Sequence, residues 1–221
     1  MKGATVLAAA DANDASGLAA DLLAARIRAA LAGRGEAVMA LSGGSTPWPA
    51  YQRLAVAADI DWARVTILQV DEREVPPDHP DSNLGGLIDA LGRRASAQIV
   101  PLAGSVEAAS AAYGRIVRER GGIDVALLGV GDDGHTASLV PGDPALDSRD
   151  VVARTLPYRG HTRLTLTFTS LDLCAVRVVL AHGPTKRKAL HSALAGEGPA
   201  GRLRGAATWL VTTTESIGPR N

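Results

Sequence analysis

Apolar residues in this chain follow two alternating rhythms. Short runs at 5–8, 37–41, 65–70, 123–128, 176–181 and 208–211 are apolar or β-branched at nearly every position, which predicts strands. Runs of this kind suit strands buried on both faces, as in parallel sheets. Between them, 14–32, 47–58, 83–91, 105–120 and 184–194 carry apolar residues at helical spacing. In 14–32, Leu18, Leu22, Ile27 and Leu31 share a face, Asp14 or Ser16 can cap the start, and Gly33 can stop the helix. Pro47 suits the first turn of 47–58. Ala109, Tyr113, Ile116 and Val117 give 105–120 its inward face, and Gly121-Gly122 end it. Only 164–168 alternates, which predicts one polar face carrying Thr165 and Thr167.

Strands taking turns with helices predict an α/β fold, a mostly parallel sheet with helices on both faces. There is no internal repeat, heptad run or low-complexity tract, so residues 1–221 read as a single domain. The Pro- and Gly-rich stretch 141–160 reads as an excursion or small appended subdomain.

Composition narrows the function classes. Lys+Arg and Asp+Glu are 23 each, so no overall field draws in nucleic acid or anionic lipid. Aromatic residues are 3% of the chain, and no basic stripe interleaved with aromatics is present. No apolar run approaches the ~18–20 residues of a membrane span, and Met1-Lys2-Gly3-Ala4, leading into a short β-like run, does not read as the start of a signal peptide. The expectation is a cytoplasmic protein with a small-molecule partner, neither nucleic acid nor membrane. Cys174, the single cysteine, can form neither an intrachain disulfide nor a cysteine zinc cluster. Lysine is scarce, so Lys2, Lys186 and Lys188 each draw notice.

Ligands of parallel α/β sheets bind beyond the carboxyl ends of the strands, and four loops there carry chemistry. In Ser42-Gly43-Gly44-Ser45-Thr46-Pro47 two glycines let the backbone approach a ligand, and a following helix start favours an anion. Ser45 or Thr46 can cap that helix. In Asp71-Glu72-Arg73-Glu74 four charges follow a buried strand directly. Arg73 can fork onto a phosphate or carboxylate, and Asp71 can hold a sugar hydroxyl or orient another side chain. Gly129-Val130-Gly131-Asp132-Asp133-Gly134 contains G-x-G-x-x-G, yet two aspartates stand where a pyrophosphate would sit, and Pro141, Gly142 and Pro144 prevent a long helix from following. The better reading pairs Asp133 with His135, since a neighbouring carboxylate raises the basicity of an imidazole and fixes its orientation. In Gly183-Pro184-Thr185-Lys186-Arg187-Lys188 cations crowd a helix N-terminus, against the macrodipole. A bound anion would offset that conflict, which makes Lys186 the phosphate candidate. Each loop also admits a plainer role, as a turn or a solvated charged segment.

Taken in order, these loops resemble the 6-phosphogluconolactonase family. Ser42–Pro47 looks like its first loop, and Asp71-Glu72-Arg73 with Val75-Pro76-Pro77 and Ser82-Asn83 like its second. The segment Gly129 to Leu139, with Asp133-Gly134-His135-Thr136-Ala137-Ser138, is similar to its signature. Arg163-Leu164-Thr165-Leu166-Thr167, Gly183-x-x-Lys186 and Pro199-Ala200-Gly201-Arg202-Leu203 resemble later blocks. The resemblance implies a Rossmann-like fold and hydrolysis of 6-phospho-glucono-1,5-lactone to 6-phosphogluconate in the pentose phosphate pathway, without metal or organic cofactor. It implies His135 as general base, with Asp133 orienting it or lying near the sugar hydroxyls. Lys186 with Gly43, Gly44, Ser45 and Thr46 would hold the sugar phosphate, and Arg73 or backbone N–H groups of the first loop would meet the oxyanion. Glucosamine-6-phosphate deaminases share the cradle and the Asp-Gly-His core. They carry a glutamate five residues after the histidine, where this chain has Val140, and tend to have an aromatic residue at the place of Arg73. A sugar-phosphate sensor without catalysis is a further reading, and His135 argues against it. His79, His161, His182 and His191 lie outside these blocks and read as surface or packing residues, and the Val211–Thr214 run is given no role.

Overall fold

The computed structural model describes residues 1–57, 59–92, 97–203, 205 and 207–218. Its strands are β1 (Thr5–Ala9), β2 (Ala37–Leu41), β3 (Val65–Gln69), β4 (Asp71–Arg73), β5 (Gln98–Val100), β6 (Val125–Leu128), β7 (Val152–Arg154), β8 (Arg163–Leu166), β9 (Arg177–Leu180) and β10 (Thr208–Thr213). The α-helices are α1 (Ala12–Arg34), α2 (Trp48–Ala55), α3 (Asn83–Leu91), α4 (Val106–Glu119), α5 (Phe168–Leu171), α6 (Arg187–Ala195), α7 (Gly198–Gly201) and α8 (Thr214–Ile217).

Seven strands form one sheet in the order β1-β10-β9-β6-β2-β3-β5, and every neighbouring pair is parallel. The unbroken apolar runs of β2, β3, β6 and β9 follow from burial on both faces, whereas β1, at the sheet edge, is largely exposed. Ala37, Met39 and Leu41 of β2 pack into the layer made by α1, α2 and α3. Val38 and Ala40 point the other way, into a layer with α4, α6 and α7. From β2 the chain steps to β3 and β5, then returns to β6 on the far side of β2 and continues to β9 and β10. The direction of winding reverses between β2 and β6, so the loops after these two strands part and leave a crevice.

Several local expectations are corrected. α1 runs longer than 14–32. Asp11, not Asp14 or Ser16, caps it by accepting from Asp14 N at 2.9 Å, and Gly35 in the left-handed region, not Gly33, ends it. Its buried line is Ala15, Ala19, Leu23, Ile27 and Ala30, while Leu18, Leu22 and Leu31 sit half-buried on the flank. Alanines let this helix lie close on the sheet, and the leucines fill the gaps beside it. α2 begins at Trp48 with no side-chain cap from Ser45 or Thr46. It ends at Ala55, and Ala58, the expected last residue, lies outside the described residues. The strand expected at 123–128 starts at Val125, with Ile123 making only an isolated bridge to Cys174.

The alternating segment 164–168 has no solvent-facing polar side. β8 is buried throughout because it pairs antiparallel with β4 and β7 in a separate three-stranded sheet. The threonines of the 164–168 segment are satisfied internally: Thr165 Oγ1 donates to Leu166 O at 3.1 Å and accepts from Ser138 N at 3.2 Å, and Thr167 Oγ1, just past β8, donates to Asp150 O at 2.5 Å. Phe168 opens α5 instead of closing the strand. The stretch 141–160 contributes β7 to this small sheet, after a 3₁₀ turn at Pro144–Asp147.

Candidate active site

Over the carboxyl ends of the parallel strands lies a cleft of about 320 Å³. Gly43, Gly44, Ser45, Thr46, Asp71, Arg73, His135 and Lys186 all line it. Asp133 is not on the wall; it stands behind His135 and reaches the cleft through the imidazole.

The loop after β2 is anchored from α2, where the Tyr51 hydroxyl donates to Ser42 O at 2.9 Å. Gly43 is compelled by a close approach: a Cβ there would lie 2.1 Å from Asn83 Oδ1. That oxygen accepts from Arg73 Nη1 at 3.1 Å, and Asp81 O accepts from the same nitrogen at 2.5 Å. Arg73 is therefore aimed by two acceptors before any ligand arrives.

Glu72 arranges this second loop from below. Its carboxylate accepts from Gln69 Nε2 and from the backbone N–H groups of Arg73, Asn83 and Leu84 at 2.7–2.8 Å, and from Ser82 Oγ at 3.2 Å. A carboxylate at the start of α3 satisfies N–H groups that no helical carbonyl can reach. Asp71, on the other face of β4, accepts from Ser138 Oγ at 2.5 Å. Burial pushes the Asp71 carboxyl up, against the pull of the Ser138 hydroxyl, Arg73 and Arg163.

The loop after β6 folds back on itself, with Gly131 N donating to His135 O at 2.8 Å and Gly134 N to Gly131 O at 3.0 Å. Asp133 Oδ1 lies 2.6 Å from His135 Nδ1 and also accepts from His135 N at 3.1 Å. Burial raises the Asp133 carboxyl, but these contacts and the imidazole outweigh it and hold the group below its ordinary value. An ionised Asp133 can only accept, so Nδ1 carries a proton, and in the neutral imidazole Nε2 is the nitrogen with the free lone pair. Nε2 has no protein partner among the described residues. Ala200 N donates to Gly134 O at 2.9 Å, so the Pro199–Leu203 block braces this loop from α7.

At the fourth loop the expected conflict between Lys186 and the helix N-terminus is offset by the protein itself. Lys186 Nζ sits 2.7 Å from Asp132 Oδ1, and Thr185 Oγ1 donates to the same oxygen at 3.3 Å. Lys186 belongs to a 3₁₀ turn, Pro184–Lys186, ahead of α6. The Val211–Thr214 run has a structural part here: Thr213 Oγ1 contacts Ser216 Oγ at 2.7 Å, and Gly183 N donates to Ser216 Oγ at 2.9 Å.

Sequence reasoning missed Tyr158, Arg159 and Arg163, which form one wall of the cleft. Arg163 opens a block already singled out, so its signal was present. Tyr158 and Arg159 lie in a Pro- and Gly-rich stretch with no periodicity to place them. Of the remaining histidines, His161 Nε2 lies 3.0 Å from Asp81 Oδ2, and His191 Nε2 lies 3.3 Å from Gly218 O. Burial, and then nearby Lys186, pull the His182 imidazole down.

A parallel sheet covered on both faces, with a polar cationic cleft at its switch point, places the chain among the Rossmann-like α/β proteins that bind small molecules at their strand ends. The sequence pattern described as "Glucosamine-6-phosphate isomerases/6-phosphogluconolactonase" matches residues 10–211, and the chain belongs to that family. A 6-phosphogluconolactonase of Pseudomonas putida is 41% identical over 198 residues, covering 83% of this chain and 81% of the relative. The crystal structure of a 6-phosphogluconolactonase from Shewanella baltica superposes with a TM-score of 0.84 at 26% identity, covering 96% of this chain and 97% of that one. A monomeric glucosamine-6-phosphate deaminase also reaches a TM-score of 0.84, at 20% identity, covering 98% of this chain and 100% of that one, which shows the shared fold alone.

Proposed function

We propose that this chain is a lactone hydrolase that opens 6-phospho-D-glucono-1,5-lactone to 6-phospho-D-gluconate, with His135 as general base. The observation that carries the reading is an imidazole whose Nδ1 is tied to Asp133 at 2.6 Å while Nε2 is unpartnered among the described residues, in a cleft shared with Arg73 and Lys186. Such a base takes a proton from water as the water oxygen bonds to C1. The carbonyl oxygen becomes an oxyanion, which Arg73 or N–H groups of the 42–47 loop stabilise. Collapse of that intermediate breaks the bond from C1 to the ring oxygen, and the ring oxygen takes up the proton. Lys186, with Gly43, Gly44, Ser45 and Thr46, grips the distant phosphate, and binding there holds C1 near the water.

The Pseudomonas putida and Shewanella baltica relatives, both named as 6-phosphogluconolactonases, support this choice of substrate. The deaminase reading lacks a residue: Val140, at the position of that family's glutamate, lines the cleft and cannot move a proton. A lactone-opening assay corrected for spontaneous hydrolysis is the test. The protein accelerates ring opening, and His135→Ala lowers kcat by about 10²–10⁴-fold while leaving phosphogluconate affinity close to that of the parent. An unaccelerated reaction overturns the substrate assignment, and near-parental turnover in His135→Ala removes the base.

A further inference from the structure

Between β7 and β8 an arm brings Tyr158 against the back of the His–Asp pair. Its hydroxyl donates to Asp133 Oδ2 at 3.1 Å, the carboxylate oxygen that His135 does not use. Its ring meets the imidazole edge-on, with centroids 5.6 Å apart. The guanidinium groups of Arg159 and Arg163 lie 5.2 and 5.3 Å from the centre of the same ring. Arg163 Nη1 also donates to Tyr158 O and, at 3.2 Å, to His161 O. Among the described residues neither Arg159 nor Arg163 has a carboxylate within ion-pair distance, so the tyrosine ring is the common surface that gathers them at the cleft wall. Burial, and then the bond to Asp133, push the Tyr158 phenol up, so it stays a donor.

We propose that Tyr158 is a positioning residue for the reaction: through its hydroxyl it fixes Asp133 and the imidazole of His135, and through its ring it holds Arg159 and Arg163 toward the substrate. The kinetic part rests on the lactonase reading, whereas the effect on the imidazole does not. An aspartate that accepts no hydrogen bond from a tyrosine keeps more of its negative charge for the histidine, which raises the basicity of the imidazole. Other charges share the cleft with that imidazole: Asp71 and Arg73 on β4, Asp132 on its own loop, and Lys186 before α6. Arg159 and Arg163 complete the set. Tyr158→Phe replaces none of these residues and keeps the ring, removing only the hydroxyl, which serves Asp133 and also interacts with Arg159.

Two measurements on the 221-residue chain separate the two readings. An NMR titration of the free protein follows the His135 ring protons. In Tyr158→Phe the midpoint moves to higher pH, and an unmoved midpoint overturns the proposal whether or not the lactone is the substrate. Steady-state lactone hydrolysis then divides the two halves of the side chain. Tyr158→Phe lowers kcat about tenfold, moves the acid limb of the pH profile to higher pH and leaves KM near its parental value. Tyr158→Leu, lacking the ring, also raises KM severalfold. In the His135→Ala background Tyr158→Phe has no further effect on kcat, because the group it positions is gone. Equal losses in both variants with an unchanged pH profile mark a merely structural residue and overturn the proposal.

Discussion

A methyl group on residue 131 would lie 2.0 Å from His135 Nδ1 and 2.7 Å from Asp133 Oδ1, closer than unbonded atoms can stand. Gly131 thus matters as the empty space that lets the imidazole lie against the turn, and only secondarily as a flexible link. In Gly131→Ala the ring has to leave its bond to Asp133, so turnover falls by about 10²-fold or more, the lower range expected for losing a general base. The folded state survives, because the ring can swing into the cleft. Lactone kinetics beside a thermal melt check this, and parental turnover would contradict it. At this scale the sequence was most informative where a residue type is scarce or a spacing is tight. Asp133 and His135 were legible as a pair two residues apart, and Lys186 as one of few lysines. Asp132, Asn83 and Tyr158 were not, because the partners that give them meaning are 54, 10 and 25 residues away: Lys186, Arg73 and Asp133.

Elements in this fold are joined where a carboxylate or hydroxyl replaces a missing backbone partner, and Glu72 is the densest of these joints. It lies on a three-residue strand yet satisfies the first N–H groups of α3, eleven and twelve residues further on. Removing it leaves several buried donors unpaired, each costing about 1–3 kcal/mol where water cannot reach. Glu72→Ala is therefore expected to lose roughly 2–4 kcal/mol of stability, read as a lower urea midpoint. KM for the phosphorylated lactone rises as well, since Arg73 and Asn83 lose the frame that aims them. A variant with parental stability and KM would show the network to be dispensable. The seven parallel strands were legible as apolar runs at all but one edge: β5 is three residues long and too brief to show a pattern. β7 was hidden for the same reason, and β8 was misread because two-residue alternation does not reveal that its polar side is buried, with Thr165 against Ser138 of the loop after β6.

For the molecule as a whole, the cleft is a place where folding and chemistry pull against each other. Asp71 sits at the floor, where burial raises its carboxyl despite the Ser138 hydroxyl and the two arginines. An acid whose folded-state pKa exceeds its unfolded value binds more protons folded than unfolded in the interval between them. Stability therefore falls as pH rises through that interval. Below the ordinary carboxylate range, about 3.9, Asp71 is protonated in both states and opposes nothing. Above its raised folded-state value the whole cost of the buried charge is present. Asp71→Asn keeps an oxygen that accepts from Ser138 and removes that charge. Its urea midpoint is expected to exceed the parental one at pH 7, and the difference to shrink as the pH is lowered toward about 4. Lactone turnover of the same variant should fall, because the carboxylate faces the cleft beside Arg73. A gain in stability with a loss of activity is what a residue kept for chemistry produces. An equal or lower midpoint at pH 7 would instead make Asp71 a structural support, stabilised by its arginines more than it is opposed by its burial.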